Sequence, residues 1–142
     1  MLKICDQDLD ILARTIYGEA RGELNHATGG IKSLHAIGWV VRNRTKQKQF
    51  SPYIYKVCMQ PKQFSCWNVN DPNRKKLLEV TFDDENFQEC YLAATLVLFD
   101  RVNDCTNGAD HYHSIYIGSP YWAAGKTPCA EIGHHVFYKL GV

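Results

Sequence analysis

Apolar side chains recur at steps of three and four residues near the start of the chain, the spacing of an amphipathic helix. The stripe of this first helix consists of Leu9, Leu12 and Ile16. Asp6 is an acceptable N-cap and Gly22 favours a stop, so we expect the helix to run between them. Glu19 continues the stripe three residues after Ile16 and is therefore predicted to face inwards.

Three further helices are predicted downstream. The second carries an apolar stripe of Ile31, Leu34, Ile37 and Val41, followed by a basic and polar run over residues 42–49. A third, short helix is expected over residues 53–59, because Ser51 can cap it, Pro52 suits its first position and Pro61 bars its continuation. A long helix capped by Asp83 or Asp84 has the most regular stripe, formed by Phe87, Tyr91, Ala94, Leu98 and Val102.

The last third of the chain has a different character. Residues 111–116 have the aromatic content of a strand, and residues 132–140 suit a short strand or a docking segment. We expect turns or loops at residues 24–30, 63–68, 70–73, 119–122 and 125–128. No repeat or linker divides the chain, so we predict one domain over residues 1–142. Its predicted class is mainly α (α+β), with a small β-rich or irregular C-terminal third.

Composition limits the classes of function. The 142 residues are 45% apolar and 22% charged, as in ordinary globular proteins. A net charge of +1 gives no support to nucleic-acid binding. No stretch approaches the roughly 18 apolar residues of a membrane span, so we expect no membrane insertion. The polar N-terminus lacks a secretory signal, which predicts synthesis in the cytoplasm. We expect a monomer.

The six cysteines contain no CxxC pair, so neither a zinc ribbon nor a thioredoxin-type motif is indicated. Three interpretations stay open: free buried thiols, disulfides formed after release, or a scattered metal site. A reducing compartment favours the free thiols.

Glu19 is the leading candidate for catalysis. Burying an ionised carboxylate is costly, and partial burial raises the pKa of a glutamate so that it can deliver a proton near neutral pH. The alternative is a cleft-edge glutamate paired with Arg14 or Arg21. Glu23 lies one turn further on and projects the same way, so the two do not resemble a glycosidase pair that flanks a bond. We assign Glu23 a supporting role.

Histidines and aromatic residues supply further candidates. His111 and His113 alternate on the predicted strand, and His134 and His135 are adjacent, but neither cluster fits a zinc-peptidase pattern. We therefore expect no metal and no cofactor. Aromatic residues in polar segments suit sugar rings, which have an apolar face and polar edges. These residues are Trp67, Tyr112, Tyr116, Tyr121 and Trp122.

Five ordered segments carry a resemblance to a known family. The first is Tyr-Gly-Glu-Ala-Arg-Gly-Glu within residues 13–23, and the others are residues 36–44, 61–67, 107–112 and 132–138. This pattern resembles the SleB-like cell-wall hydrolases, which include spore cortex-lytic enzymes and phage lysins. The match covers nearly the whole chain.

The resemblance implies a lysozyme-like fold and a lytic transglycosylase that acts on bacterial peptidoglycan between N-acetylmuramic acid and N-acetylglucosamine. The family's catalytic glutamate maps onto Glu19, which would act as acid and then as base. The expected sugar-contacting or supporting residues are Gln63, Ser65, Trp67, Tyr112, Trp122 and Glu23. His111 and His113 depart from the family's pattern, as do the six cysteines.

Other functions stay open at this point. A hydrolytic lysozyme would need a second carboxylate, for which Asp110 or Glu23 is the candidate. A zinc amidase would use the histidines, and a wall-binding module would need no catalysis. Lacking an export signal, the chain is expected to reach the wall after holin-type release or as a component of a virion or spore.

Overall fold

The computed structural model describes residues 2–25 and 29–141, and it has the mainly α, α+β class that the sequence predicted. Part of the predicted turn at 24–30 lies outside these residues. The helices are α1 Asp8–Ala20, α2 Gly30–Arg44, α3 Ile54–Met59, α4 Pro72–Glu79 and α5 Glu85–Leu98. The strands are β1 His111–Ser114, β2 Ala130–Ile132 and β3 His135–Tyr138. Short 3₁₀ helices occupy Arg21–Asn25, Ser65–Trp67 and Tyr121–Ala123.

Helix α1 lies at the centre of the helical part and packs against the other four helices. Its Leu12 and Ile16 are fully buried, as the stripe predicted. The helix begins at Asp8 rather than Asp6, because the buried Asp8 carboxylate accepts the backbone N–H groups of Cys5 (2.7 Å) and Tyr55 (3.1 Å). It tightens into a 3₁₀ helix after Ala20, which places Glu19 in its last α-helical turn.

Helices α2 and α5 complete the main core. Leu34, Ile37 and Val41 of α2 are fully buried, whereas Ile31 is half exposed, contrary to the predicted stripe. On α5 the N-cap is Asp84, whose side chain accepts the N–H of Phe87 at 3.0 Å. The sequence predicted either Asp83 or Asp84 at this position. None of the described helices is both long and apolar enough to cross a bilayer.

Helix α4 was not predicted, and residues 70–73 are its start rather than a simple turn. Asp71 accepts the N–H of Asn73 at 2.8 Å, and Pro72 occupies the first helical position. This cap and proline are typical of a helix start. The helix was missed because only Leu77 is buried, so it has no apolar stripe.

The three strands form one antiparallel sheet with the order β1–β3–β2. Tyr112 pairs with Phe137, and Ser114 pairs with His135. The sequence indicated β1 and β3, but β2 was missed because it is only three residues long. Gly133 turns the chain between β2 and β3 with φ of +58°, a conformation that favours glycine.

All six cysteines are free thiols in this structure, and Cys58, Cys66 and Cys90 are buried. Burial raises the pKa of the Cys58 and Cys90 thiols to about 12. These thiols therefore behave as small apolar groups of the core.

Candidate active site

Glu19 is partly buried at the end of α1, facing the segment that contains Cys66. Its neighbour Gly18 allows this approach. A Cβ at position 18 would lie 2.7 Å from Cβ of Cys66 and 2.9 Å from Cδ2 of Leu77. The missing side chain thus lets residues 65–67 and α4 pack directly on the helix that carries Glu19.

Tyr112 of β1 reaches across to the same carboxylate. Its hydroxyl donates a 2.8 Å hydrogen bond to Oε1 of Glu19. Its ring is held by Phe64, Phe137 and His135, at centroid distances of 6.5, 5.7 and 5.2 Å. The contact joins the helical part to the sheet at the site of the predicted catalytic residue.

The environment raises the pKa of Glu19. Burial is the largest cause, and the negative charge of Asp71 adds to it. The hydrogen bond from Tyr112, the positive charge of Arg44 and the Cys66 thiol oppose the shift without cancelling it. Glu19 therefore retains its proton to a higher pH than an exposed glutamate, as a general acid requires.

The two arginines considered as partners of Glu19 are engaged elsewhere. Arg14 bonds Asp10 at 3.1 Å and the carbonyl oxygen of Leu77 at 2.6 Å. Arg21 bonds the carbonyl of Tyr17 and the side chain of Asn73. The alternative that Glu19 forms a salt bridge with Arg14 or Arg21 is therefore wrong.

A cleft of about 320 Å³ opens beside Glu19. Its other lining residues are Arg44, Lys62, Gln63, Ser65, Tyr112, His113, Ser114, Ile117, Pro120, Trp122 and His135. Among these described residues, Glu19 is the only carboxylate. A larger groove of about 780 Å³ lies beside α3, between Gln7 and Met59, but none of its lining residues is acidic.

Arg44 is a cleft residue that the sequence interpretation missed. It is 5% exposed, and it donates to the carbonyl of Asp110 at 2.8 Å and to Oε1 of Gln63 at 3.3 Å. Burial lowers the pKa of Arg44, but a guanidinium stays charged in proteins. The sequence could have indicated Arg44, because it follows Val41 by three residues and so places a charged side chain on the core-facing stripe of α2.

Four of the predicted sugar-contacting residues line the cleft: Gln63, Ser65, Tyr112 and Trp122. The ring of Trp122 packs against His111, His113 and Tyr138, with centroids 5.1 to 5.8 Å apart. Trp67 is not brought to the cleft. Its Nε1 donates to the buried Oγ1 of Thr15 at 2.9 Å, which turns the indole towards the core.

Glu23 lies behind the cleft wall rather than in it. It is 5% exposed, with Oε2 3.0 Å from Nδ1 of His134 and Oε1 3.6 Å from Nδ1 of His135. The backbone N–H of His134 also donates to Oε1 at 3.2 Å. Gly133 fits closely here, since a Cβ would lie 2.8 Å from Oε2 of Glu23. Glu23 thus supports the β2–β3 turn.

Asp110, the other candidate for a second carboxylate, is fully buried. Its oxygens accept hydrogen bonds from the backbone N–H groups of Leu140 (3.0 Å) and Gly141 (2.9 Å) and from Gln47 (2.7 Å). Burial tends to raise the pKa of Asp110, but His111 and these donors outweigh it and hold the pKa below its usual range. Asp110 is not among the described cleft-lining residues.

His111 and His113 contact different partners, whereas His134 and His135 share Glu23. Nδ1 of His111 lies 2.7 Å from Asp110, and Nε2 of His113 lies 3.1 Å from the hydroxyl of Tyr138. Burial lowers the pKa of His135, although Glu23 opposes this. No group of three or more metal-ligating side chains occurs within residues 2–25 and 29–141.

Comparison with known proteins adds independent findings. A family model described as Cell Wall Hydrolase matches residues 30–138, which contain every cleft-lining residue named above except Glu19. The catalytic domain of Bacillus cereus SleB superimposes with a TM-score of 0.71 at 21% identity, covering 96% of this chain and 93% of that domain. The catalytic domain of the germination-specific lytic transglycosylase SleB from Bacillus anthracis gives 0.70 at 21% identity, covering 95% and 96%. At this identity the likeness establishes the fold. None of the curated proteins matches this chain.

Proposed function

This chain belongs to the cell wall hydrolase family, and from that premise we propose that it cleaves peptidoglycan as a lytic transglycosylase. The bond cleaved is the one between N-acetylmuramic acid and N-acetylglucosamine. The product is a 1,6-anhydromuramic end. The protein from Bacillus anthracis that shares this fold is itself named a lytic transglycosylase, which supports the proposal.

The observation that carries the proposal is a single carboxylate in the cleft. Glycosidases that activate water or form a covalent intermediate use two carboxyl groups on either side of the scissile bond. Here Glu19 is the only acid among the described lining residues, while Glu23 and Asp110 are committed to other partners. An intramolecular nucleophile removes the need for a second carboxylate.

The mechanism uses Glu19 twice. In its protonated form it donates the proton to the glycosidic oxygen, and the bond from C1 of the muramic residue to that oxygen breaks. The carboxylate so formed then takes the proton of the C6 hydroxyl as this oxygen bonds to C1. Because the hydroxyl belongs to the same sugar, its attack is intramolecular and favoured by proximity.

The surrounding residues have distinct roles in this proposal. Tyr112 fixes the orientation of the Glu19 carboxylate through its hydrogen bond and stabilises the anion after the first proton transfer. Arg44 holds Gln63 at the cleft and contributes a nearby positive charge. Gln63, Ser65 and Trp122 offer amide, hydroxyl and ring contacts to the sugars.

The test is substitution of Glu19 by glutamine, combined with mass spectrometry of digested peptidoglycan. We expect the wild type to release anhydromuropeptides and Glu19→Gln to lose activity by at least about 100-fold, since it removes the proton donor. Folding should be retained, because the amide can still accept from Tyr112 and no charge is buried. Thermal unfolding checks this point.

Glu79→Gln is the matched control, since Glu79 is exposed at the end of α4 and does not line the cleft. It should keep wild-type activity. Reducing, hydrated muramic ends would contradict transglycosylation and indicate a hydrolytic lysozyme. New free amino ends that disappear on chelation would indicate a zinc amidase, and binding without any product would indicate a wall-binding module.

A further inference from the structure

A loop next to the cleft exposes an unusual run of large apolar side chains. The exposed fractions are 51% for Ile115, 75% for Tyr116, 57% for Ile117 and 92% for Tyr121. Single exposed apolar residues are normal, whereas a contiguous set marks a binding surface. The two tyrosines, here called the aromatic rim, do not line the cleft itself.

The aromatic rim continues the wall of the cleft. Ile117 and Pro120 line the cleft, and each is the chain neighbour of one rim tyrosine, with Cα atoms about 3.8 Å apart. The ring of Tyr116 also packs on that of His134, at a centroid distance of 5.0 Å. His135, the next residue, lines the cleft as well. Tyr116 is therefore next to the cleft edge both through Ile117 and through His134.

Three polar contacts hold the segment that carries Tyr116. His134, on which its ring rests, is held 3.0 Å from the buried carboxylate of Glu23. The backbone N–H of Tyr116 donates to Oγ of Ser114 at 3.1 Å, and that of Ile115 donates to the carbonyl of His134 at 2.8 Å. A ring held in place in the free protein loses little conformational freedom when a ligand binds.

The size of the cleft implies that a polymeric substrate extends beyond it. Its volume of about 320 Å³ lies at the lower end of the range of about 300–1,000 Å³ for small-molecule sites. It can therefore enclose only a short piece of a glycan strand. The rest of the strand has to leave over the edge, and the loop with the aromatic rim forms part of that edge.

We propose that Tyr116 and Tyr121 form an outer subsite that binds the glycan strand beyond the cleft. Each ring offers a flat apolar face to a sugar ring and a hydroxyl to its polar edge. Tyrosine gives a large contact area with only two rotatable side-chain bonds. The inference rests on the proposed function, because it takes the polymer in the cleft to be peptidoglycan glycan.

The experiment measures binding in a catalytically inactive background. Glu19→Gln protein is titrated by calorimetry with long peptide-free glycan strands and with a disaccharide, a single unit of the same repeat. Adding Tyr116→Ala or Tyr121→Ala should weaken binding of long strands by roughly fivefold to tenfold, as expected for loss of an interfacial tyrosine. Affinity for the disaccharide should change by less than about twofold, because it is too short to fill the cleft and also reach the rim.

Conservative and remote variants complete the design. Tyr116→Phe and Tyr121→Phe keep the ring and should retain most of the affinity for long strands. Phe99→Ala removes another exposed aromatic ring, at the end of α5 and away from the cleft, and should have no effect. Thermal unfolding of each variant verifies that the fold is intact.

Several results would overturn the inference. Unchanged affinity for long strands would remove the rim from the binding surface. Equal losses for both ligands would make the tyrosines supports of the cleft, and a change in sedimentation would make the rim a contact between copies of the chain. Failure of the proposed function is seen separately, as a wild-type digest without anhydromuropeptides.

Discussion

At the scale of single residues, two opposing effects act on the pKa of the Glu19 carboxylate. Burial favours the neutral form of Glu19, and the hydrogen bond from Tyr112 favours the charged form. The first is larger, so the pKa of Glu19 is raised. A group that donates a proton and then accepts one benefits from both effects, because burial keeps the proton on Glu19 and the hydrogen bond stabilises the carboxylate left after its transfer.

Replacing Tyr112 with phenylalanine tests this balance. Loss of the donor should raise the pKa of Glu19 further, so the alkaline limb of the kcat/KM profile should move to higher pH. We expect kcat/KM at its optimum to fall by roughly tenfold to a hundredfold, because a hydrogen bond to a charged group is worth about 1.5–3 kcal/mol. Tyr91→Phe, on α5 and not among the cleft-lining residues, should leave the profile unchanged. A limb that stays in place or moves to lower pH would contradict the assigned role of Tyr112.

Sequence patterns located some of the site residues and not others. Glu19 was predicted because a carboxylate on an apolar stripe conflicts with the cost of burying charge. Arg44 obeys the same rule on α2, so it could have been found. The placement of Trp67 could not, because its bond to Thr15 joins residues 52 positions apart and leaves no local signal.

At the scale of elements, Gly18 is what allows the segment with Cys66 and helix α4 to pack closely on α1. Helix propensity alone predicts that Gly18→Ala would stabilise α1 by up to about 1 kcal/mol. The contacts predict the opposite, because the new Cβ would lie 2.7 Å from Cβ of Cys66. We expect a net destabilisation of about 1–3 kcal/mol, measured by urea unfolding, with reduced activity as Glu19 shifts.

Gly22→Ala is the control within the same stretch of chain. Nothing lies within 4 Å of a Cβ there, and φ is not positive, so the change should be neutral or stabilise by up to about 1 kcal/mol. Equal effects of the two substitutions would refute the packing explanation.

Elements with a strong apolar stripe were predicted well. The existence of α1, α2, α3 and α5 followed from spacing and caps, with ends that moved by a few residues. Helix α4 and strand β2 were missed for a common reason: each buries only one residue, Leu77 and Ile132 respectively. Periodicity carries no information when so little of an element faces the core.

At the scale of the whole molecule, Asp110 ties distant segments together. It accepts hydrogen bonds from Gln47, which follows α2, and from Leu140 and Gly141 at the C-terminal end. Asp110→Asn replaces one acceptor with a donor facing these N–H groups. We expect a loss of about 3 kcal/mol in the free energy of unfolding, because buried donors lose their partner.

The pH dependence of stability gives a second measurement for the same variant. Because folding lowers the pKa of Asp110, its stabilisation is complete above the usual carboxyl pKa of 3.8 and is lost as the pH falls through the lower, folded value. The wild type should therefore lose more stability than Asp110→Asn over this acidic range.

Asp10→Asn serves as the comparison, since Asp10 pairs with Arg14 at the surface and is half exposed. It should cost less than about 1 kcal/mol. Similar losses for both variants would show that Asp110 contributes no more than a surface ion pair.

The sequence by itself determined the helical class, the core-facing stripes, the candidate acid Glu19 and the resemblance to a family. These features depend on the spacing and chemistry of residues that are close together in the chain. Tertiary structure alone decided which residues meet Glu19, since Tyr112 lies 93 positions away in the chain. It also decided that Glu23 and Asp110 are used for support, because their partners His134, Gln47 and Leu140 lie far from them in the chain. The choice of a single acid in the cleft is therefore a property of the packed chain, set by contacts that no local pattern encodes.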